Sequence, residues 1–150
     1  MALNKQTNLN KKAVLATLNE ILELELASAV RYTQYSFMIF GHSRIPIVSW
    51  MRDQAAQSVT HAHEAGDLIT AHGGTPSLRI GDLLKAHSKS IDAMLREILA
   101  HENSGAALYH KLLSQVENRH VPLEEYARRM IHDETHDIGE IAKMLRRMGR

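Results

Sequence analysis

The chain of 150 residues contains no cysteine. Disulfides, thiolate zinc sites and iron–sulfur clusters are thereby excluded. The same absence is compatible with a cytosolic location, which is the location expected here. Proline occurs only at positions 46, 76 and 122, and aromatic residues make up 5% of the chain. With few β-branched runs as well, the composition favours an all-α protein of long helices. No stretch is apolar for long enough to span a membrane. Met1 to Lys12 is polar and lacks the apolar core of a secretory signal. The formal net charge is only +1, so a general nucleic-acid binder is not expected.

What is present suits a single domain over residues 1–150, with a flexible N-terminal segment at 1–11. Hydrophobic residues are 44% of the chain, enough for a core. Four helices are expected: about Lys12 to Phe40, Val48 to His72, Ser88 to Asn118 and Pro122 to Met148. Gly41 and the pair Gly73-Gly74 supply C-terminal stop signals, and Pro122 suits a first helical turn. The connections Gly41 to Pro46 and Arg119 to Val121 are short, so each joins an antiparallel pair. Between the pairs, Gly73 to about His87 is long enough to cross the bundle. Its Leu78, Ile80, Leu83 and Leu84 are expected to lie on it.

Acidic residues interrupt the apolar faces of these helices. The first stripe runs Leu18, Leu22, Glu25, Ala29, Tyr32, Ser36, Ile39. The third runs Ile91, Leu95, Ile98, Glu102, Gly105, Tyr109, Leu112, Val116. The fourth runs Tyr126, Met130, Glu134, Asp137, Ile141, Met144, Met148. Alternating steps of three and four hold each set on one helical face. The second stripe is mixed: Trp50, Gln54, Ser58, His61, Ala65, Leu68. A carboxylate in a core is costly unless paired, hydrogen-bonded or bound to a cation. One ligand-type residue from each of four helices is how a bundle builds a metal site. Carboxylates with a few imidazoles suit iron or manganese, with zinc also possible.

Around this set stand further candidates. Glu25, Ala29 and Tyr32 share their spacing with Glu102, Ala106 and Tyr109, a faint internal repeat. It predicts two glutamates on opposite sides of one centre, with Tyr32 and Tyr109 as nearby hydroxyls or as core residues. His132 and His136 lie four apart, with Glu140 next on the same line. They make a candidate surface metal clip turned away from Glu134. The HAHE run at 61–64 can direct only one of its faces inward.

Over Leu15 to Met148 the chain resembles the ferritin-like superfamily, bacterioferritins and small ferritin-like proteins in particular. The resemblance rests on LNEILELELASAVRYTQYS, HAHEAGDLITAHGGTPSL, MLREILAHENSGAALYHKLL and MIHDETHDIGEIAKMLRR. It implies a four-helix bundle of two hairpins joined by a long crossover. It also implies a di-iron centre with a Glu from helix one, matching Glu25, and a Glu from helix three, matching Glu102. A Glu-x-x-His on each of helices two and four completes the family set. Here His61 and Glu134 match, while Ser58 stands for the acid three residues before His61. Asp137 stands for the second imidazole. The implied metal ligands are Glu25, His61, Glu102, Glu134 and Asp137, with Tyr32, Tyr109 and Ser58 around them and Gln54, Gln57 or Glu64 as partial compensation.

The implied function is iron binding, oxidation of iron(II) by oxygen or peroxide, and storage or detoxification, with one or two ions held. Haem is not expected, because Val59 occupies the position of the family's haem-ligating Met. Cage-forming members of the family carry a short fifth helix after the fourth, whereas this sequence stops at Arg150, soon after Met148, so a homodimer is expected before a larger homo-oligomer. The alternative is a bundle that has lost di-iron chemistry and serves as a single-metal or partner-binding module.

Overall fold

The computed structural model describes residues 8–148. Among the described residues there are four helices and no strand: α1 (Lys11–Phe37), α2 (Arg44–Ala71), α3 (Ile91–Val116) and α4 (Val121–Leu145). Much of the segment expected to be flexible, residues 1–7, lies outside the described residues. Leu9 packs against the core, and the Asn10 side chain caps α1 by accepting from the Ala13 N–H at 3.1 Å.

Helix ends differ from the sequence expectation for local reasons. Helix α1 stops at Phe37 rather than Phe40. The Met38 N–H turns back to the Tyr35 carbonyl, and the Arg44 guanidinium donates to the carbonyls of Ser36 and Ile39. A cation suits the negative end of a helix. Helix α2 starts at Arg44, before Pro46 rather than after it. In a first turn the missing proline N–H would have had no helical partner anyway. Ser90 caps α3 by accepting from the Ala93 N–H, and His120 caps α4 by accepting from the Leu123 N–H. Helix α4 ends at Leu145, and Met148 is 96% exposed, so the fourth stripe leaves the core after Ile141.

The helices form the antiparallel bundle with two hairpins and a crossover. Close backbone approaches join α1 to α2, α3 to α4 and α1 to α3. No Cα of α2 comes within 8 Å of one in α4. Side chains bridge that wider seam, through an Arg129–Glu64 ion pair and a 3.4 Å hydrogen bond from Gln57 to Asp137.

The crossover lies along α1 and is held mainly by polar contacts. The Ser77 N–H donates to Asn19 Oδ1 at 2.7 Å, the Gly81 N–H to the Glu23 carbonyl at 2.8 Å, and Arg31 Nε to the Asp82 carbonyl at 2.9 Å. A Cβ on Gly81 would stand 3.0 Å from that Glu23 carbonyl oxygen, so this approach needs glycine. Of the apolar residues expected to lie on the bundle, Leu84 packs on the core, while Leu78, Ile80 and Leu83 face solvent. Backbone hydrogen bonds to α1 leave these side chains outward.

Two apolar clusters fill the interior. One gathers Leu18, Leu22, Ile69, Leu112, Leu123 and Met130. The other gathers Ile39, Met51, Met94, Ile98 and Ile141 at the opposite end. The layer between them holds Glu25, Ser28, Ser58, His61, Glu102 and Glu134, all buried.

Candidate metal centre

Each helix sends an ionisable or polar side chain into this middle layer because the stripes carry it there. Glu25, His61, Glu102 and Glu134 are 3%, 7%, 8% and 4% exposed, so water cannot solvate their charge. Among the described residues no lysine or arginine pairs with any of the four. One donor atom from each of Glu25, His61 and Glu134 falls in a group whose members lie within 4.8 Å of one another. Glu102 lies outside that group, and its charge acts on Glu134. Gly105 makes room on α3, where a Cβ would meet Glu134 Oε2 at 3.5 Å and Leu24 Cδ2 at 3.2 Å.

Two tyrosines support the carboxylates in a reciprocal pattern. Tyr32 of α1 donates to Glu102 Oε1 of α3 at 2.6 Å. Tyr109 of α3 donates to Glu25 Oε1 of α1 at 2.7 Å. Tyr32 belongs to one apolar cluster and Tyr109 to the other, so the hydroxyls enter the layer from opposite sides. Each tyrosine bonds the glutamate of the other helix, not the one two turns away on its own. Burial, then the charge of the bonded glutamate, pushes both phenols well above their usual range and keeps them protonated donors. The ring of Tyr126 packs edge-on to Tyr109 at 6.1 Å, with the Arg129 guanidinium 5.7 Å over its face. Helical spacing placed Tyr126 on the fourth stripe but gave no sign of this contact.

The electrostatics are those of crowded acids with no lysine or arginine partner among the described residues and one imidazole beside them. Burial raises Glu102, with the Tyr32 hydrogen bond opposing and the Glu25 charge adding. Glu134 is pushed up to about 10, by burial first and then by the charges of Glu102 and Glu25. Near neutral pH Glu134 therefore keeps a proton. His61 Nδ1 lies 3.4 Å from Glu25 Oε1. Burial acts to lower the imidazole, but the Glu25 hydrogen bond and charge outweigh it and the net shift is upward.

Ser58 is buried in the layer and supplies no carboxylate. The Asp137 side chain is 20% exposed and outside the converging group. It sits at the rim, in a groove of about 460 Å³ lined by Trp50, Gln54, His136, Glu140 and Met144. Its charge nevertheless contributes to raising Tyr32, Glu102 and Glu134. Gln57 holds it from α2; Gln54 lines the groove, and Glu64 is taken by Arg129.

His101 was not legible as a functional residue from the stripes. Its Nε2 lies 2.7 Å from Ser28 Oγ, whose own proton is directed to the Leu24 carbonyl. Burial and then the Arg31 charge pull this imidazole down to about 4, so it stays neutral.

The donor set fits a hard or borderline cation, since the carboxylates are dry, mutually repulsive and oriented by hydrogen bonds. The ferritin-like domain matches the sequence over residues 15–150. The chain belongs to the ferritin family. Bacterial non-heme ferritins of Escherichia coli O157:H7 and Shigella flexneri are 28% identical to it over 92 residues, 61% of this chain. The chain spans 56% of the length of these relatives. A ferritin-like, diiron-carboxylate protein from Bacillus anthracis str. Ames superposes with a TM-score of 0.86 at 23% identity, covering 93% of this chain and 100% of that one. The Desulfovibrio desulfuricans bacterioferritin gives 0.80 at 17% identity, covering 96% and 83%. An open pore ferritin from Archaeoglobus fulgidus gives 0.77 at 16% identity, covering 88% and 81%. These likenesses show the fold of this ferritin-family chain, and no described helix is long and apolar enough to cross a membrane.

Proposed function

We propose that this ferritin-family protein binds iron(II) in the middle layer of its bundle and promotes its oxidation, with iron storage or detoxification as the outcome. The observation that carries the proposal is the convergence of Glu25, His61 and Glu134, with the Glu102 charge beside them and, among the described residues, no lysine or arginine paired with any of the four. Iron is the substrate here, and each iron(II) gives one electron to oxygen or peroxide. Glu25, His61, Glu102 and Glu134 are the proposed ligands, with Asp137 at the rim as a fifth.

The protein's own part is positioning and charge. Tyr109 aims Glu25, and Glu25 in turn holds the His61 ring. Tyr32 aims Glu102. A bound cation takes the place of the proton on Glu134, so binding releases a proton. The apolar clusters on either side exclude water and strengthen attraction between carboxylates and cation.

A single-ion site is the second reading, and Ser58 favours it, because the layer lacks the acid three residues before His61 that the family pattern carries. Homodimer or larger assembly is proposed on the strength of the relatives named as ferritins. One experiment separates the readings. Iron(II) is added to the purified protein in air while iron per chain and oxidation rate are followed. Two irons per chain with oxidation above the buffer blank supports the di-iron reading. One iron per chain supports the single-ion reading, and no oxidation above the blank sinks the ferroxidase proposal.

A further inference from the structure

On the outer face of α4 the sequence HDETHD places two His-Asp pairs one helical turn apart. His132 Nδ1 lies 3.3 Å from Asp133 Oδ1, and His136 Nδ1 lies 3.4 Å from Asp137 Oδ1. The imidazoles are 84% and 69% exposed, so neither is a core residue. Residues four apart lie on one helical face, and two histidines at this spacing form a known zinc-binding geometry. The carboxylate on each Nδ1 favours the tautomer with its proton there. It thereby leaves Nε2 as a free lone pair and fixes the ring's direction, which is how metal-ligating histidines are prepared.

We propose that His132 and His136 form a second, outer site for a borderline divalent transition ion such as zinc(II), nickel(II) or copper(II). Imidazole ligands suit such ions, in contrast to the carboxylate-rich inner layer. Glu140 continues the same line one turn further on, although its carboxylate is engaged by Lys143 Nζ at 2.6 Å. The outer site is linked to the inner one through Asp137. This residue orients His136, lines the groove between α2 and α4, and adds its charge to the field at Glu102 and Glu134.

The site does not depend on the iron proposal, and zinc(II) alone is the probe. Zinc(II) binding is measured by calorimetry and equilibrium dialysis on the full chain, on His132→Gln, on Glu102→Gln and on the control His63→Gln. The parent and His63→Gln are expected to show an outer class of sites that Glu102→Gln retains. His132→Gln is expected to lose it, with affinity for that class falling about tenfold or more. His132 is an exposed position, so this variant keeps the fold, which circular dichroism verifies. Zinc(II) binding by His132→Gln with the stoichiometry and affinity of the parent overturns the proposal. Full zinc(II) binding by Glu102→Gln overturns the inner-layer ligand set instead.

Discussion

The Tyr109 hydroxyl donates across the bundle to Glu25 Oε1 at 2.7 Å, and Glu25 Oε1 is also the atom nearest His61 Nδ1. One oxygen thus ties α3, α1 and α2 together at the centre. Replacing Tyr109 by Phe removes the donor and leaves a dry carboxylate under-satisfied. Metal affinity is expected to fall by about 10-fold to 100-fold, and stability by about 1–3 kcal/mol. Competition against a metal chelator and chemical denaturation measure the two effects. Tyr32→Phe is expected to match it in size, since Tyr32 and Glu102 repeat the pair in mirror order. A large effect from one and none from the other would show that the reciprocal pattern has no energetic meaning.

Glu134 contributes to the pH dependence of the metal-free protein, alongside Glu102, which burial also raises. The folded value of Glu134, about 10, lies above the ordinary 4.5, so the folded state holds a proton that the unfolded state gives up. The group's contribution to stability is therefore full below pH 4.5 and is lost as pH rises toward 10. Chelator-treated protein is expected to melt at progressively lower temperature across that window, with other groups held in view by comparison with Glu134→Gln. The variant removes the titration and flattens the curve. Loading with metal reverses the trend, because a cation binds the deprotonated carboxylates and stabilises the fold by mass action. An identical pH profile for the parent and Glu134→Gln in thermal melts would refute this assignment.

Ser58 marks the vacancy in the ligand pattern. Ser58→Glu brings a fifth carboxylate into the buried layer. The metal-free protein is expected to lose stability, since another charge enters without a partner. With iron supplied, the ions bound per chain are expected to rise, and the oxidation rate with them. Metal analysis after desalting reads the first, and absorbance stopped-flow reads the second. An unchanged iron content in a folded Ser58→Glu protein would show that the single-ion reading does not rest on this residue.

Leu18 tests whether the layer depends on the packing beneath it. It is fully buried in one of the two apolar clusters. Leu18→Ala is expected to cost about 2–5 kcal/mol by the cavity it leaves, while the number of ions bound stays the same. Urea denaturation and metal analysis check the pair. Loss of metal from a variant that remains folded would mean that the site is coupled to the cluster more tightly than the hydrogen bonds suggest.

Much of this arrangement was legible in the sequence because helical periodicity is a strictly local signal. Glu25, Glu102 and Glu134 lie among apolar residues on their stripes, and all three are buried. The short links fixed the hairpins. Periodicity says nothing about which side chain of another helix stands opposite, so the crossed Tyr–Glu bonds had no sequence signature beyond the shared Glu-to-Tyr spacing. Helix ends were displaced where a partner distant in sequence intervened, as Arg44 does at the end of α1. Asp137 fell on the stripe, yet the wide α2–α4 seam leaves it at the rim. His101 escaped notice because its role depends on Ser28, which α1 supplies.

The stitching of the crossover at Ser77 and Gly81 divides residues 72–90 into short, separately closed loops. The entropic cost of loop closure rises slowly with length. Insertions after Asp82, between the last tether and α3, should therefore be tolerated, whereas even one extra residue between Ser77 and Gly81 would pull one tether out of register. The span that looks longest and freest in the chain has its room for growth confined to one end.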